Sequence, residues 1–168
     1  MENLARQTTV RMETAKSSGS GTIVRRQGQT YTVLTNWHVV AIVRGDRTIV
    51  TGDGLLHRRL GVPRRLDGTD LAIVQFLCAI EYKVAPISPE PAAVGEPLRS
   101  ARFPAGAQVW AVARGFVELL LRKSLPQGYQ EIGLKTPSSV AGFNCKALIT
   151  RRTFYAGVCS IRWEVKPC

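Results

Sequence analysis

The alternation of apolar and polar positions along this chain follows the period of strands, not of helices. From Gly19 the segment GTIVRRQGQTYTVLTNWHVV sets an apolar-rich run on each side of a Gln-Gly turn, which predicts strands over Gly21–Arg26 and Thr30–Thr35. Two short β-rich runs follow, AIVRGDRTIVTGDG and LLHRRLGVPRRL, cut by Gly-Asp, Asp-Gly and Gly-Val-Pro. LAIVQFL has the length and apolar character of a strand buried on both faces. Ala85–Pro97 is Pro-rich and reads as a linker, after which QVWAVARGFVELLL returns to alternation. Strands separated by turn residues at this spacing predict an all-β barrel or sandwich.

The expected organisation has four parts. Residues 1–18 are polar and unpatterned and predict a flexible lead-in. Residues 19–84 form a first β-barrel, 85–97 a linker and 98–168 a second barrel. Beyond about residue 128 the turn-bounded alternation fades, and the tail is expected to be irregular.

Composition adds bounds. At 168 residues, 45% hydrophobic and 21% charged, the chain can bury a substantial core. No apolar run is long enough for a transmembrane helix, and no apolar leader is visible, which makes the cytoplasm the default compartment. The net charge of +11 raises nucleic acid or an anionic membrane as partners. The arginines, however, come in scattered pairs (Arg25-Arg26, Arg58-Arg59, Arg64-Arg65, Arg151-Arg152) with no aromatic interleaving and no recognition motif, the signature of a solvated basic surface. Cys78 lies in an apolar run and reads as a buried small hydrophobe, while Cys145, Cys159 and Cys168 crowd the C-terminal end and leave a disulfide open. None makes a C-x-x-C pair.

The chemistry lies in three separated segments. Thr35-Asn36-Trp37-His38-Val39 ends a predicted strand and is preceded by Gly19-Ser20-Gly21-Thr22-Ile23-Val24. Thr69-Asp70-Leu71-Ala72-Ile73-Val74 opens the LAIVQFL strand with an Asp. Val94-Gly95-Glu96-Pro97-Leu98, followed by Arg102-Phe103-Pro104, stands at the start of the second β unit. Together these resemble the G-S-G-x-h-h, T-x-x-H-V, D-h-A-h-h and V-G-x-x-h…G-F-P segments of the HtrA/Deg-type trypsin-like serine peptidases, over Gly19 to about Val117. Ala often stands in that family at the positions of Asn36 and Trp37, and Gly at that of Arg102.

The resemblance implies two six-stranded antiparallel β-barrels of chymotrypsin type, the second incomplete here. It implies a polypeptide substrate or peptide ligand and no metal or organic cofactor. It makes His38 the general base and Asp70 the group that orients it, in the chain order His, Asp, Ser. The nucleophile is not identified. The family's G-x-S-G-G loop turns backbone N–H groups inward as an oxyanion hole, each donor contributing roughly 2.7–4 kcal/mol, and no such string occurs here. Ser139 and Ser160 are the candidates; Ser139 is followed by Val-Ala and Ser160 by Ile-Arg. Cys159 has a Gly two before it but Ser after it. Either the chain is a degenerate relative, or its tail beyond about residue 128 is out of frame. The readings are therefore a serine endopeptidase, a catalytically dead relative that binds extended peptide, and a basic nucleic-acid-associated protein. His57, among cations, reads as a surface residue, and Trp110 and Trp163 as packing residues.

Overall fold

The computed structural model describes residues 2–13, 18–41, 48–66, 69–86, 97–102, 111–121, 131–135, 143–150 and 154–161, the last five as backbone alone. A short helix α1 (Glu2–Thr8) leads into β1 (Thr9–Glu13), β2 (Ser18–Gln27) and β3 (Thr30–Asn36). One helical turn, α2 (Trp37–Val40), precedes β4 (Thr48–Val50), β5 (Leu56–Arg65) and β6 (Leu71–Leu77). These six strands close into an antiparallel barrel in the order β1-β2-β3-β6-β5-β4, with β4 pairing back on β1. A second, five-stranded sheet runs β10-β11-β7-β8-β9, from β7 (Pro97–Arg102), β8 (Ala111–Leu121), β9 (Glu131–Lys135), β10 (Phe143–Thr150) and β11 (Phe154–Ile161). Strand β11 also lies against β2 and β3 of the barrel. The architecture is chymotrypsin-like, all-β as the sequence pattern predicts.

The β3–β6 ladder shows how period-two patterning builds the core. The pairs Tyr31↔Phe76, Val33↔Val74 and Thr35↔Ala72 point inward and are buried. Tyr31, Val33, Ala72, Val74 and Phe76 join Val10, Met12, Ile23 and Ile49 in the main core cluster. The alternate pair Leu34↔Ile73 belongs to a smaller cluster with Leu66 and Leu71 on the other face. Strand β6 is therefore not buried on both sides, as its apolar run suggests. Gln75 and Leu77 face solvent, Leu77 at 54% exposure.

Two other expectations give way. The N-terminal segment is no loose lead-in along its whole length, since Thr9–Glu13 supplies a barrel strand with Val10 and Met12 fully buried. Its T-V-R-M-E alternation is only five residues long, and it is stabilised by pairing on both edges, with β2 and β4. The tail beyond residue 128 carries three strands, β9, β10 and β11. Runs such as Phe143–Thr150 and Phe154–Ile161 hold β-branched and aromatic residues without clean alternation, so their pairing partners, not their own pattern, select the strand. In that register Cys145 stands directly opposite Cys159.

Candidate active site

Barrel register brings the two distant motifs together. Because Asn36 pairs with Leu71, the residues just past the end of β3 meet the residue just before β6. Trp37 N–H donates to the Asp70 carbonyl at 2.7 Å, and α2 closes its single turn with Ala41 N–H on the Trp37 carbonyl. His38 rides on this turn, while Val39 and Val40 anchor it in the core. In the Gly19-Ser-Gly motif, Gly19 makes room for this turn and Gly21 for the packing of β2 on β3. A Cβ on Gly19 would lie 2.7 Å from a methyl of Val39, and one on Gly21 would lie 2.5 Å from Val33.

Asp70 is held by its own turn. Thr69 Oγ1 donates to the Leu66 carbonyl at 2.8 Å and accepts the Leu71 N–H at 3.1 Å. Arg65 Nε donates to the Thr69 carbonyl at 2.9 Å, and its guanidinium stacks over the Trp37 ring at 5.7 Å. One arginine thus ties together the residues immediately before His38 and Asp70.

His38 Nδ1 and Asp70 Oδ2 lie 2.5 Å apart, and the His38 backbone N–H donates to Asp70 Oδ1 at 3.0 Å. An ionised carboxylate only accepts, so Nδ1 carries the proton and Nε2 keeps its lone pair. The His38 side chain is 42% exposed, which leaves that lone pair open to an incoming hydroxyl. This is the geometry of an oriented imidazole base.

The structure adds a third polar group. The buried Asn36 side chain donates from Nδ2 to the Asp70 carbonyl at 3.2 Å and to Oδ2 at 3.3 Å. Its Oδ1 is buried with no hydrogen-bond partner among the described residues. In the sequence Asn36 stands out only as a departure from the family's usual Ala, because its bond to Asp70 exists only once β3 and β6 pair.

The candidate nucleophiles are less completely placed. Ser160 lies on β11 opposite Asn144, next to Cys159. Ser139 lies outside the described residues, as do Trp110 and Trp163. Cys78 is half-buried against the core, its Sγ accepting the Ile80 N–H at 3.3 Å.

His57 is not a surface residue. It is buried on the inward face of β5, its ring 4.7 Å from that of Phe76. Thr51 Oγ1 donates to Asp53 Oδ1 at 2.6 Å and Tyr82 OH to Asp53 Oδ2 at 2.9 Å. With both hydroxyl protons given to the carboxylate, His57 Nε2 must be the donor to Thr51 and Tyr82, at 3.0 and 3.2 Å. Burial lowers the His57 pKa, more than the Asp53 charge raises it. Burial also works to raise the Asp53 pKa, but hydrogen bonds from Thr51, Leu55 N–H and Tyr82 outweigh it, and the net shift is downward.

Both shifts favour the folded state at high pH, because the unfolded chain binds protons more readily. Stability is therefore expected to be full above about pH 6.5, the ordinary imidazole value. It falls as acid takes the pH down through the folded pKa of His57, and again below about 3.8 as Asp53 protonates. Urea unfolding across this range checks it; a stability unchanged between about pH 7 and 5 would contradict it.

Comparison with known proteins gives a consistent picture. Residues 19–153 match the model of the trypsin-like peptidase domain. No curated protein matches at the level of sequence. Among solved structures, Rv3671c from M. tuberculosis H37Rv, an inactive-form serine-to-alanine mutant, superposes with a TM-score of 0.63 at 17% identity. That alignment covers 80% of this chain and 65% of the Rv3671c chain, so the chain spans under two thirds of that protein's length. Rv3671c protease, also in an inactive form, gives a TM-score of 0.62 at 16% identity, covering 80% of this chain and 68% of that one. At this identity the likeness establishes the fold.

Proposed function

The chain belongs to the trypsin-like peptidase domain family, and from that premise we propose that it is a serine-type endopeptidase in which His38 is the general base and Asp70 its orienter. Such a domain acts on polypeptides in general. The observation that carries the assignment is the His38 Nδ1–Asp70 Oδ2 hydrogen bond, with Nε2 left as the base on a half-exposed ring.

In the reaction, Nε2 takes the proton of the attacking hydroxyl as its oxygen bonds to the scissile carbonyl carbon. The resulting imidazolium, stabilised by the Asp70 carboxylate, gives that proton to the departing amine nitrogen. A water then repeats the sequence on the acyl-enzyme, restoring the free hydroxyl. Ser160 and Ser139 remain the candidate nucleophiles; β11, which bears Ser160, approaches β2 and β3. A second reading, a catalytically silent domain that binds extended peptide, is favoured by one observation, the absence of any G-x-S-G-G string.

Fluorophosphonate labelling followed by peptide mapping separates the two. The peptidase reading expects a modified Ser139 or Ser160, with labelling lost in His38→Ala. Folded protein that takes no label sinks turnover and leaves the peptide-binding domain.

A further inference from the structure

We propose that Asn36 is the positioning residue of the His38–Asp70 pair, its side-chain amide fixing the carboxylate in the orientation that serves the imidazole. The proposal rests on the reading of His38 and Asp70 as base and orienter. Asn36 closes β3, one residue before α2, and its register partner Leu71 directly follows Asp70. Its two hydrogen bonds go to the Asp70 carbonyl and to Oδ2, both of which only accept. The amide nitrogen must therefore face them, and the orientation of the side chain is settled by its partners.

Three donors converge on the carboxylate. Oδ1 accepts the His38 backbone N–H; Oδ2 accepts His38 Nδ1–H and Asn36 Nδ2–H. Two of the three come from the residue being oriented. Without Asn36, the His38 backbone N–H still holds Oδ1, but Oδ2 is held by the imidazole alone and can follow the ring. Among the described residues Asn36 alone supplies a donor to these oxygens from outside the pair, and it is locked into the barrel ladder. It therefore references Oδ2, and through it Nδ1 and Nε2, to the β3–β6 frame.

Stability does not account for the residue. The Asp70 carbonyl already accepts Trp37 N–H at 2.7 Å, and both carboxylate oxygens keep a donor from His38 when Asn36 is removed. Deleting the amide leaves none of these acceptors without a donor, and it removes Oδ1, one of three buried side-chain polar atoms that lack a partner among the described residues.

Asn36→Ala separates a directing role from a structural one. The expected variant stays folded and melts close to the parent temperature. In it the proton between His38 Nδ1 and Asp70 Oδ2, followed by proton NMR with isotope-labelled histidine, exchanges with water at least about tenfold faster, as loss of a charge-assisted bond implies. Asn36→Asp, of the same shape with an acceptor in place of the donor, is expected to loosen the proton at least as much. Fluorophosphonate labelling, where the parent shows it, falls in parallel. Parental exchange in Asn36→Ala overturns the proposal, and so does a lowered melting temperature with exchange rising only in proportion to it. A parent with no protected His38 proton overturns both this proposal and the base–orienter reading. A parent with the protected proton but no labelled serine fails only the peptidase reading, and the exchange comparison still decides the role of Asn36.

Discussion

Asp70→Asn is expected to lower turnover, or the rate of serine labelling, by about 10⁴-fold with the barrel intact, the effect of forcing the wrong imidazole tautomer. The hydrogen bonds around the position dictate this. With asparagine at 70, the side-chain oxygen is held by His38 N–H where Oδ1 now sits, and the new amide nitrogen falls at Oδ2. Turned the other way, the amide would set its N–H groups against the His38 backbone N–H. Either His38 accepts at Nδ1, which moves the ring proton to Nε2 and removes the base, or the Nδ1 contact breaks. The amide nitrogen also meets Asn36 Nδ2, donor against donor. Neither outcome touches the inward pairs of the barrel, so thermal unfolding should change far less than reactivity. A variant that labels within tenfold of the parent would remove Asp70 from the mechanism.

Legibility in the sequence followed the range of each interaction. His38 and Asp70 were readable because each carries its local context: a strand that ends just before the one and a strand that starts just after the other. Their proximity needed only one inference, that β3 and β6 are neighbours, and the Asn36↔Leu71 register does the rest. The network at His57 was not readable, because its members sit on the β4–β5 turn, on β5 and on the chain after β6, with no shared motif. A histidine followed by two arginines resembles a surface residue, yet in a strand its immediate neighbours, Leu56 and Arg58, point the opposite way. Asn36 was unreadable as a functional residue for a related reason: its bond to Asp70 exists only after the ladder forms.

The charge also changes meaning once placed. Arg26 pairs with Glu81 at 2.7 Å and lies over the Tyr31 ring at 5.6 Å, which fastens the β2–β3 hairpin to the chain leaving β6. Arg65 is tied to Trp37 and Thr69 beside the candidate site. Two members of the paired arginines thus act as local ties as well as solvated charge.

Phe76→Ala is expected to be among the most destabilising single changes in the barrel, at about 3–5 kcal/mol, the range for emptying a buried aromatic site. Phe76 is fully buried on the inward face of β6, stacked on Tyr31 at 5.1 Å and close to the rings of His57 and Tyr82 at 4.7 and 6.3 Å. Truncation opens a cavity between three rings, each with its own constraint. Tyr31 OH donates to the Ile80 carbonyl and accepts the Tyr82 N–H, while His57 and Tyr82 are bound into the Asp53 network. These ties keep the rings from collapsing into the void, which places the loss toward the upper end of the range. The neighbouring Leu77→Ala provides the contrast, since Leu77 lies on the outward face at 54% exposure and should cost no more than about 0.5 kcal/mol. Thermal unfolding should therefore drop by about 10 °C or more for Phe76→Ala and by no more than about 1–2 °C for Leu77→Ala. Equal losses at the two positions would mean that β6 does not alternate between core and solvent. The Asn36↔Leu71 register that sets Asp70 beside His38 would then lose its footing, because one ladder fixes both.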